Sequence, residues 1–420
     1  MQSYKFLLDL AIILLFTKLL GVTTTRVRMP QVVGALLAGL LLGPAAFGIL
    51  SETEFLKTVA ELGVIVLMFS AGLETDIKEL KKSGKAALVI AVCGVLVPIA
   101  GGFLTACFFN KPDMIQSDAS CNIMLQNIFI GVILTATSVS ITVETLKELG
   151  RLKTHSGNAI LGAAIIDDIL GIIALTIITS VADPSVRIAI VLGKIVAFFV
   201  FAAVVGFLFY KIYKFWMAKA DKMRHRHVIA AFVFCLLMSY VSEHFFGVAD
   251  ITGAYIAGLI ISNTEKSEYL LGKFDVISFL LLSPVFFANI GLSVTFPKMT
   301  PVIFMFTLVL VIVAILTKVI GCGLGAKMCG YQTHQCKRIG VGMVSRGEVA
   351  LIVASKGIAF GLLGSAFVGP VVVMVVITTI ITPIMLKVVY KSGAVAAVEA
   401  SEDITGYYDE LANVRREHQS

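Results

Sequence analysis

The chain consists of long apolar runs separated by short polar stretches, and this alternation continues along almost its whole length. An α-helix needs about 20 apolar residues to cross a hydrocarbon layer of about 30 Å. Runs of that length recur from end to end, and helices satisfy their own backbone hydrogen bonds inside lipid. The pattern therefore predicts an all-α polytopic membrane protein.

Hydropathy divides the chain into about thirteen spans. Their approximate limits are residues 4–20, 31–47, 57–73, 86–109, 122–147, 155–180, 186–213, 226–246, 249–263, 274–294, 301–327, 337–361 and 365–388. We number the predicted spans in this order.

The composition excludes an ordinary soluble domain. Of 420 residues, 58% are hydrophobic and 15% charged, and the mean hydropathy is +0.95. The 7 cysteines contain no CxxC pair and lie scattered through apolar segments, which is typical of packing rather than of a disulfide framework or a metal site. The 36 glycines suit close helix packing in lipid.

Basic residues orient the spans, because cytoplasmic loops are enriched in lysine and arginine. The loops on one side hold nearly all of them, and the alternate loops hold only Lys5, Lys57, Lys111, Arg187 and Lys298. We therefore expect the N-terminus outside and the C-terminus in the cytoplasm, with residues 394–420 as a cytoplasmic tail without a nucleotide-binding domain. The net charge of +7 reflects this topology and some attraction to anionic lipid, so it requires no nucleic-acid partner.

Two short motifs occur twice. Residues 34–40 (GALLAGL) resemble residues 253–259 (GAYIAGL), and the Gly-Leu pair at 72–73 recurs at 291–292. Both matches are separated by 219 positions (253 − 34 and 291 − 72), which is seven spans, so the second copy crosses the membrane in the opposite sense. Such inverted repeats are typical of secondary transporters. We predict a transmembrane domain over 1–393, with repeats at about 1–180 and 226–388 joined by a linker helix at about 186–213.

Two adjacent aspartates, Asp167 and Asp168, interrupt the apolar run of residues 155–180. At helical rise they lie roughly 18 Å from its start, near the midplane of the hydrocarbon layer. Carboxylates there are energetically costly, and two neighbouring negative charges invite a proton, a cation or a cationic side chain. The pair is thus a candidate functional site. The alternative is a polar pair tolerated at a helix–helix contact.

Two spans carry signals for broken helices. Residues 135–142 (TATSVSIT) crowd hydroxyl and β-branched side chains that compete with helical hydrogen bonds. In span 12, Arg346 and Glu348 flank Gly347, which tolerates an extended break. Half-helix ends crossing in the membrane coordinate ions or are offset by charged side chains. The alternatives are a polar helix face in span 5 and an interfacial charged pair in span 12.

Lys318 lies several apolar turns inside span 11. A lysine at that depth needs a carboxylate partner, and the two aspartates are the obvious suppliers. A Lys–Asp pair that forms and breaks would couple proton release to ion binding. The alternative is a side chain that snorkels to the interface.

Taken together, these residues resemble the monovalent cation:proton antiporter-2 family of bacterial cation/proton antiporters over nearly the whole chain. The motifs that carry the resemblance are FSAGLE at 69–74, TATSV at 135–139, IIDD at 165–168, PVFF at 284–287 before Gly291-Leu292, Lys318, and SRGEV at 345–349. The resemblance implies a homodimer in the bacterial inner membrane with a thirteen-helix fold. It also implies alternating access, in which a six-helix core moves against a dimerisation domain.

The same resemblance implies roles for individual residues. Asp168 would be the principal carboxylate for ion and proton, and Asp167 the partner of Lys318. Thr137 and Ser138 would lie at the unwound ion site.

Arg346 and Glu348 match the family's charged pair in the second broken helix. The tandem Asp-Asp is the pattern of its electrogenic, sodium-selective branch.

The sequence therefore predicts a secondary active transporter that exchanges Na⁺ or Li⁺ for H⁺, with Asp168 and Asp167 as the Na⁺ ligands. We expect no enzyme activity and no cofactor, and the partners would be a monovalent cation, a proton, membrane lipid and a second copy of the chain. The alternatives are a K⁺/H⁺ antiporter and a cation channel. An intramembrane aspartyl protease is disfavoured, because adjacent residues of one helix point about 100° apart and cannot share a proton across facing helices.

Overall fold

The computed structural model describes residues 4–391 except 27–28, 76, 112, 116, 183–187, 220–223, 265–266 and 295–299. Within the helices, the side chains of residues 78–82, 182, 216–219, 224–225 and 348 are not described. The predicted tail, residues 394–420, lies outside the described residues.

The described residues form helices and no β-strand. A five-residue π turn, Ser278–Leu282, joins α11 to α12. The helices are α1 (Lys5–Arg26), α2 (Gln31–Leu42), α3 (Glu54–Glu74), α4 (Ile77–Phe109), α5 (Ile123–Ile133), α6 (Val139–Glu148), α7 (His155–Ala182), α8 (Ile188–Lys219), α9 (Arg224–His244), α10 (Asp250–Ser262), α11 (Ser267–Ile277), α12 (Ser283–Leu292), α13 (Pro301–Met328), α14 (Thr333–Gly342), α15 (Glu348–Ala359) and α16 (Ser365–Lys391).

Within the part of the chain described above, nine helical segments are long and apolar enough to cross a membrane. Four further apolar helices of 10–17 residues accompany them. The prediction of an all-α polytopic membrane protein is confirmed, whereas the count of thirteen spans stays a prediction.

Two helices extend beyond the apolar segments that predicted them. Helix α4 begins at Ile77 rather than near residue 86, and the tenth span begins with α11 at Ser267 rather than near residue 274. Hydropathy detects only the apolar part of a helix, so polar first turns escape it. At Pro284 the chain lacks a backbone N–H, which accounts for the π turn just before it.

The helices pack into two bundles. The first, which we call the core bundle, contains α4, α5, α7, α13, α14, α15 and α16, and the second, the scaffold bundle, contains α1, α2, α3, α9, α10, α11 and α12. Helix α6 contacts α7 and α16 of the core bundle and α2 and α3 of the scaffold bundle. Helix α8 packs against α7, α9 and α10 and so connects the two bundles.

Glycines fix two close helix crossings in the scaffold bundle. A Cβ added at Gly72 of α3 would collide with the backbone of α10, and one added at Gly258 of α10 would collide with the backbone of α3. Gly39 of α2 and Gly291 of α12 oppose each other in the same way. The repeat offset of 219 relates Gly39 to Gly258 and Gly72 to Gly291, so it exchanges the two crossings. This exchange is what an inverted two-fold repeat predicts.

The helix ends expected to carry the basic loops lie together. Lys147 at the end of α6 contacts Glu74 at the end of α3, and the first residue of α2 donates to Glu148. His155 at the start of α7 stacks on Tyr331, which follows α13. We call this side the basic face, and the other side, with the loops after α2, α4 and α15, the opposite face.

Candidate ion site at the crossing of two broken helices

Two helices of the core bundle are interrupted, and their interruptions meet. Residues 134–138 separate α5 from α6, and residues 343–347 separate α14 from α15. The backbone N–H of Ser138 donates to the carbonyl oxygen of Ser345 at 2.8 Å. The Ser345 hydroxyl in turn donates to the carbonyl oxygen of Ser138, also at 2.8 Å. Both predicted helix breaks are therefore present, and they pair with each other.

Further hydroxyl groups satisfy carbonyl oxygens that the interruptions leave without helical partners. Thr142 donates to the carbonyl oxygen of Gly342 at 2.7 Å, and its Oγ1 lies 2.8 Å from Ser345 Oγ. Thr379 of α16 donates to the carbonyl oxygen of Arg346. Buried backbone groups need such partners, so these hydroxyls stabilise the interrupted conformation.

The crossing also requires a residue without a side chain. A Cβ at Gly347 would lie 2.7 Å from Ser138 Oγ, closer than real Cβ contacts allow. The Ser138 hydroxyl itself lies 3.2 Å from Ser140 Oγ. Gly347 thus permits the second interruption to lie directly against Ser138.

Beside the crossing lies a buried ion pair. Lys318 Nζ is 2.9 Å from both carboxylate oxygens of Asp167, and neither residue is appreciably exposed (0% and 2%). The Thr137 hydroxyl donates to Asp167 Oδ2 at 2.7 Å. A Cβ at Gly94 would lie 3.7 Å from Asp167 Oδ1 and 3.8 Å from Lys318 Nζ, so α4 closes the pocket without adding a side chain. Three charge-assisted hydrogen bonds hold this carboxylate in place.

Asp168 is placed differently from its neighbour. It is partly exposed, whereas Asp167 is buried. Successive residues of a helix point about 100° apart, which sends the two carboxylates to different surroundings. Asp168 is therefore the more accessible of the two to an incoming ion.

Arg346 donates hydrogen bonds to backbone carbonyl oxygens of three separate segments. Its Nη1 donates to the carbonyl oxygen of Val344 at 2.7 Å, and its Nη2 donates to those of Leu134 and Ala314 at 2.8 and 2.9 Å. The side chain is fully buried. Leu134 directly follows α5, so the guanidinium offsets the partial negative charge of that helix end.

Glu348 begins α15, and its side chain is among those not described. The predicted pairing of Arg346 with Glu348 therefore lies outside the described residues.

The sequence analysis did not identify three of the residues at the site. Thr142 lies in the hydroxyl-rich segment that predicted the first interruption, so a signal for it existed. Gly94 and Thr379 lie in ordinary apolar helices, and only the packing of α4 and α16 brings them to the site.

The described residues contain no group of three or more His, Cys, Asp and Glu side chains placed to hold a metal ion. A cation entering this site would instead find one or two carboxylates together with hydroxyl and carbonyl oxygens. Oxygen ligands of this kind suit a hard cation.

A buried lysine–aspartate pair beside two crossing interrupted helices defines an ion-coupled membrane transporter. The chain belongs to the sodium/hydrogen exchanger family, since residues 11–391 match the profile described as "Sodium/hydrogen exchanger, transmembrane". This match confirms the resemblance that the sequence motifs indicated.

Several relatives are similar to the chain along nearly its whole length. It is 39% identical to the Na(+)/H(+)-K(+) antiporter GerN of Bacillus cereus, over 94% of this chain and 98% of that protein. It is 36% identical to a Na(+)/H(+) antiporter of Enterococcus hirae, over 91% of this chain and 97% of that protein. The solved structure of the sodium proton antiporter MjNhaP1 from Methanocaldococcus jannaschii matches with a TM-score of 0.64 at 18% identity, covering 92% of this chain and 97% of that one, which shows a shared fold.

Proposed function

We propose that the chain is a secondary active transporter that exchanges Na⁺ or Li⁺ for H⁺ by alternating access, and that the exchange is electrogenic. The single observation that supports this most is the buried Lys318–Asp167 pair, held by Thr137 next to a partly exposed Asp168. Relatives named as Na⁺/H⁺ antiporters along nearly the whole chain add support.

In the proposed cycle, a proton and Na⁺ compete for Asp168. Na⁺ takes further oxygen ligands from Asp167, Thr137 and Ser138. Asp167 then leaves Lys318, which loses its carboxylate partner and releases a proton. One proton from Asp168 and one from Lys318 would leave for each cation that enters, so net charge would move.

Arg346 and Glu348 would provide charge compensation in this scheme. The Arg346 guanidinium already binds the carbonyl end of α5. Glu348 begins α15 and would offset the positive end of that half-helix. We further propose a homodimer in the bacterial inner membrane, with the N-terminus outside and the C-terminus cytoplasmic.

The test is exchange in proteoliposomes that carry an imposed pH gradient, with the membrane potential recorded. Addition of Na⁺ or Li⁺ should dissipate the gradient in the parent protein, and Asp168→Asn should abolish this response. Asp118→Asn is the matched control, because Asp118 lies in the loop before α5, where its carboxylate binds Ser365. Exchange that persists in Asp168→Asn would contradict the assignment, and cation flux without a returning proton would indicate a channel.

K⁺ is the second candidate cation, because the relative GerN is named as a Na(+)/H(+)-K(+) antiporter. The same vesicles distinguish Na⁺/H⁺ exchange from K⁺/H⁺ exchange when Na⁺, Li⁺ and K⁺ are added separately over a range of concentrations. A response to K⁺ at concentrations at which Na⁺ has no effect would favour K⁺/H⁺ exchange.

A further inference from the structure

The last turn of α6 touches the scaffold bundle through two charged side chains. Lys147 Nζ contacts Asp275 Oδ1 of α11 and lies 3.5 Å from Glu74 Oε1 at the end of α3. Glu148 accepts the backbone N–H of Gln31, the first residue of α2, at 2.6 and 2.8 Å. One helical turn is thereby bound to three helices of the scaffold bundle.

The other end of α6 begins at the candidate ion site. Ser138, which pairs with Ser345 in the second interruption, immediately precedes the helix (Val139–Glu148). A short rigid helix thus connects the ion site to the contacts made by Lys147 and Glu148. Displacement of either end would be transmitted to the other.

A cavity of about 470 Å³ lies between α6 and the scaffold bundle at this position. Glu144, Lys147, Glu148 and Asp275 line it, together with apolar residues of α1 and the π turn. At its last turn, α6 therefore meets the scaffold bundle through charged side chains that border a gap. Parting α6 from the scaffold bundle at this turn would break these ionic contacts.

We propose that Lys147 and Glu148 of α6, with Glu74, Asp275 and the first N–H of α2, form an ionic latch on the basic face. The latch joins α6, which also packs against α7 and α16 of the core bundle, to the scaffold bundle. The latch holds α6 against the scaffold bundle in this conformation and opens in each transport cycle. This inference rests on the proposed exchange by alternating access, because that mechanism requires the bundles to move.

The latch biases the conformational equilibrium rather than locking it. The side chains of Lys147, Glu74 and Asp275 are 23%, 10% and 35% exposed. Partly solvated ion pairs of this kind shift an equilibrium by about two- to fivefold. Loss of the latch should therefore raise the fraction of open molecules by about that factor.

The first experiment measures opening without measuring transport. In a variant that lacks the native cysteines, Glu144→Cys places a thiol in the cavity, where an uncharged thiol reagent reports its accessibility. Lys147→Met and Asp275→Asn should each raise the modification rate about two- to fivefold, whereas Lys147→Arg should stay near the parent rate. The first two substitutions change the local charge in opposite directions, so a common increase reports opening. An unchanged rate, or changes of opposite sign, would overturn the proposal.

The second experiment fixes the latch closed. Gln31→Cys with Glu148→Cys, bridged by a short reducible reagent, should stop exchange, and reduction should restore it. The control pair, Asp118→Cys with Ser365→Cys, joins two contacting residues within the core bundle and should keep its exchange when bridged. Full exchange by the bridged latch pair would overturn the proposal. Absence of exchange in the unbridged cysteine-free parent would instead count against the proposed function, and the accessibility experiment would still decide the latch.

Discussion

The two adjacent aspartates have different neighbours, although the sequence presents them as a pair. Asp167 points into the protein, where Lys318 and Thr137 bind it, and Asp168 stays partly exposed. A fixed, paired carboxylate and an accessible one suit different tasks. In the proposed cycle, Asp167 responds to the charge of Lys318, and Asp168 is the carboxylate that the ion reaches first.

Removing one charged member of the buried Lys318–Asp167 pair should destabilise the protein more than removing both charges. Asp167→Asn leaves Lys318 without its carboxylate partner at a fully buried position, at an expected loss of about 3–5 kcal/mol in the free energy of unfolding. Asp167→Asn combined with Lys318→Met should recover most of that loss, because no uncompensated charge remains. Thermal unfolding in detergent measures both. A double variant no more stable than Asp167→Asn would contradict the buried pair as described.

The Thr137 hydroxyl should influence the apparent affinity for Na⁺ through its hydrogen bond to Asp167. Thr137→Val keeps the shape and removes the donor, whereas Thr137→Ser keeps the donor. A hydrogen bond to a charged group contributes about 1.5–3 kcal/mol, so Thr137→Val should shift the apparent affinity for Na⁺ by roughly tenfold or more. Thr137→Ser should stay near the parent value. Initial rates of Na⁺-driven proton movement over a Na⁺ series give the comparison, and equal effects of the two substitutions would argue against the hydroxyl as the cause.

For individual residues, the sequence predicted the contacts that follow from charge alone. Lys318 lies too deep to reach water, so it needed an anion, and the aspartates at 167 and 168 were available. Charge could not show that Gly94 would border the pair or that Thr379 would bind Arg346. Those contacts depend on how α4 and α16 pack, which apolar periodicity does not specify.

Among the elements, the interrupted helices are the most informative. The hydroxyl-rich segment 135–142 and Gly347 both predicted a local loss of helix, and both lie at or beside observed interruptions. Their mutual pairing was not predictable, because Ser138 and Ser345 are more than 200 positions apart and meet only through the crossing. The two interruptions thus satisfy each other's backbone hydrogen-bonding groups. No local sequence pattern predicts this pairing.

Close glycine crossings should be intolerant of even one methyl group. Gly72→Ala and Gly258→Ala each introduce a Cβ against backbone of the neighbouring helix, so each should lower stability by about 1–3 kcal/mol. Gly171→Ala is the matched control, because nothing lies within 4 Å of a Cβ at this position of α7. Thermal unfolding of the three variants tests this. Equal stability of Gly72→Ala and Gly171→Ala would show that α3 and α10 do not cross as closely as described.

For the whole molecule, two independent patterns agree on which helix ends share a face. Basic residues gather in alternate loops of the sequence, and the contacts of Glu148 with α2 and of Lys147 with α3 join ends that the charge pattern assigns to one side. Charge bias indicates a direction across the membrane, whereas packing establishes only that the ends lie together. The sequence therefore predicts the orientation, and the fold shows which helix ends lie together.

Orientation can be tested at one small polar residue on each face. Ser51, in the loop after α2, and Thr333, the first residue of α14, are both exposed and lie on the opposite and basic faces. In a cysteine-free parent, a membrane-impermeant maleimide should label Ser51→Cys in intact cells and Thr333→Cys only in inside-out vesicles. The reason is that lysine- and arginine-rich loops remain in the cytoplasm during insertion. The reverse labelling pattern would place the N-terminus inside, and the proposed latch would then face the exterior instead of the cytoplasm.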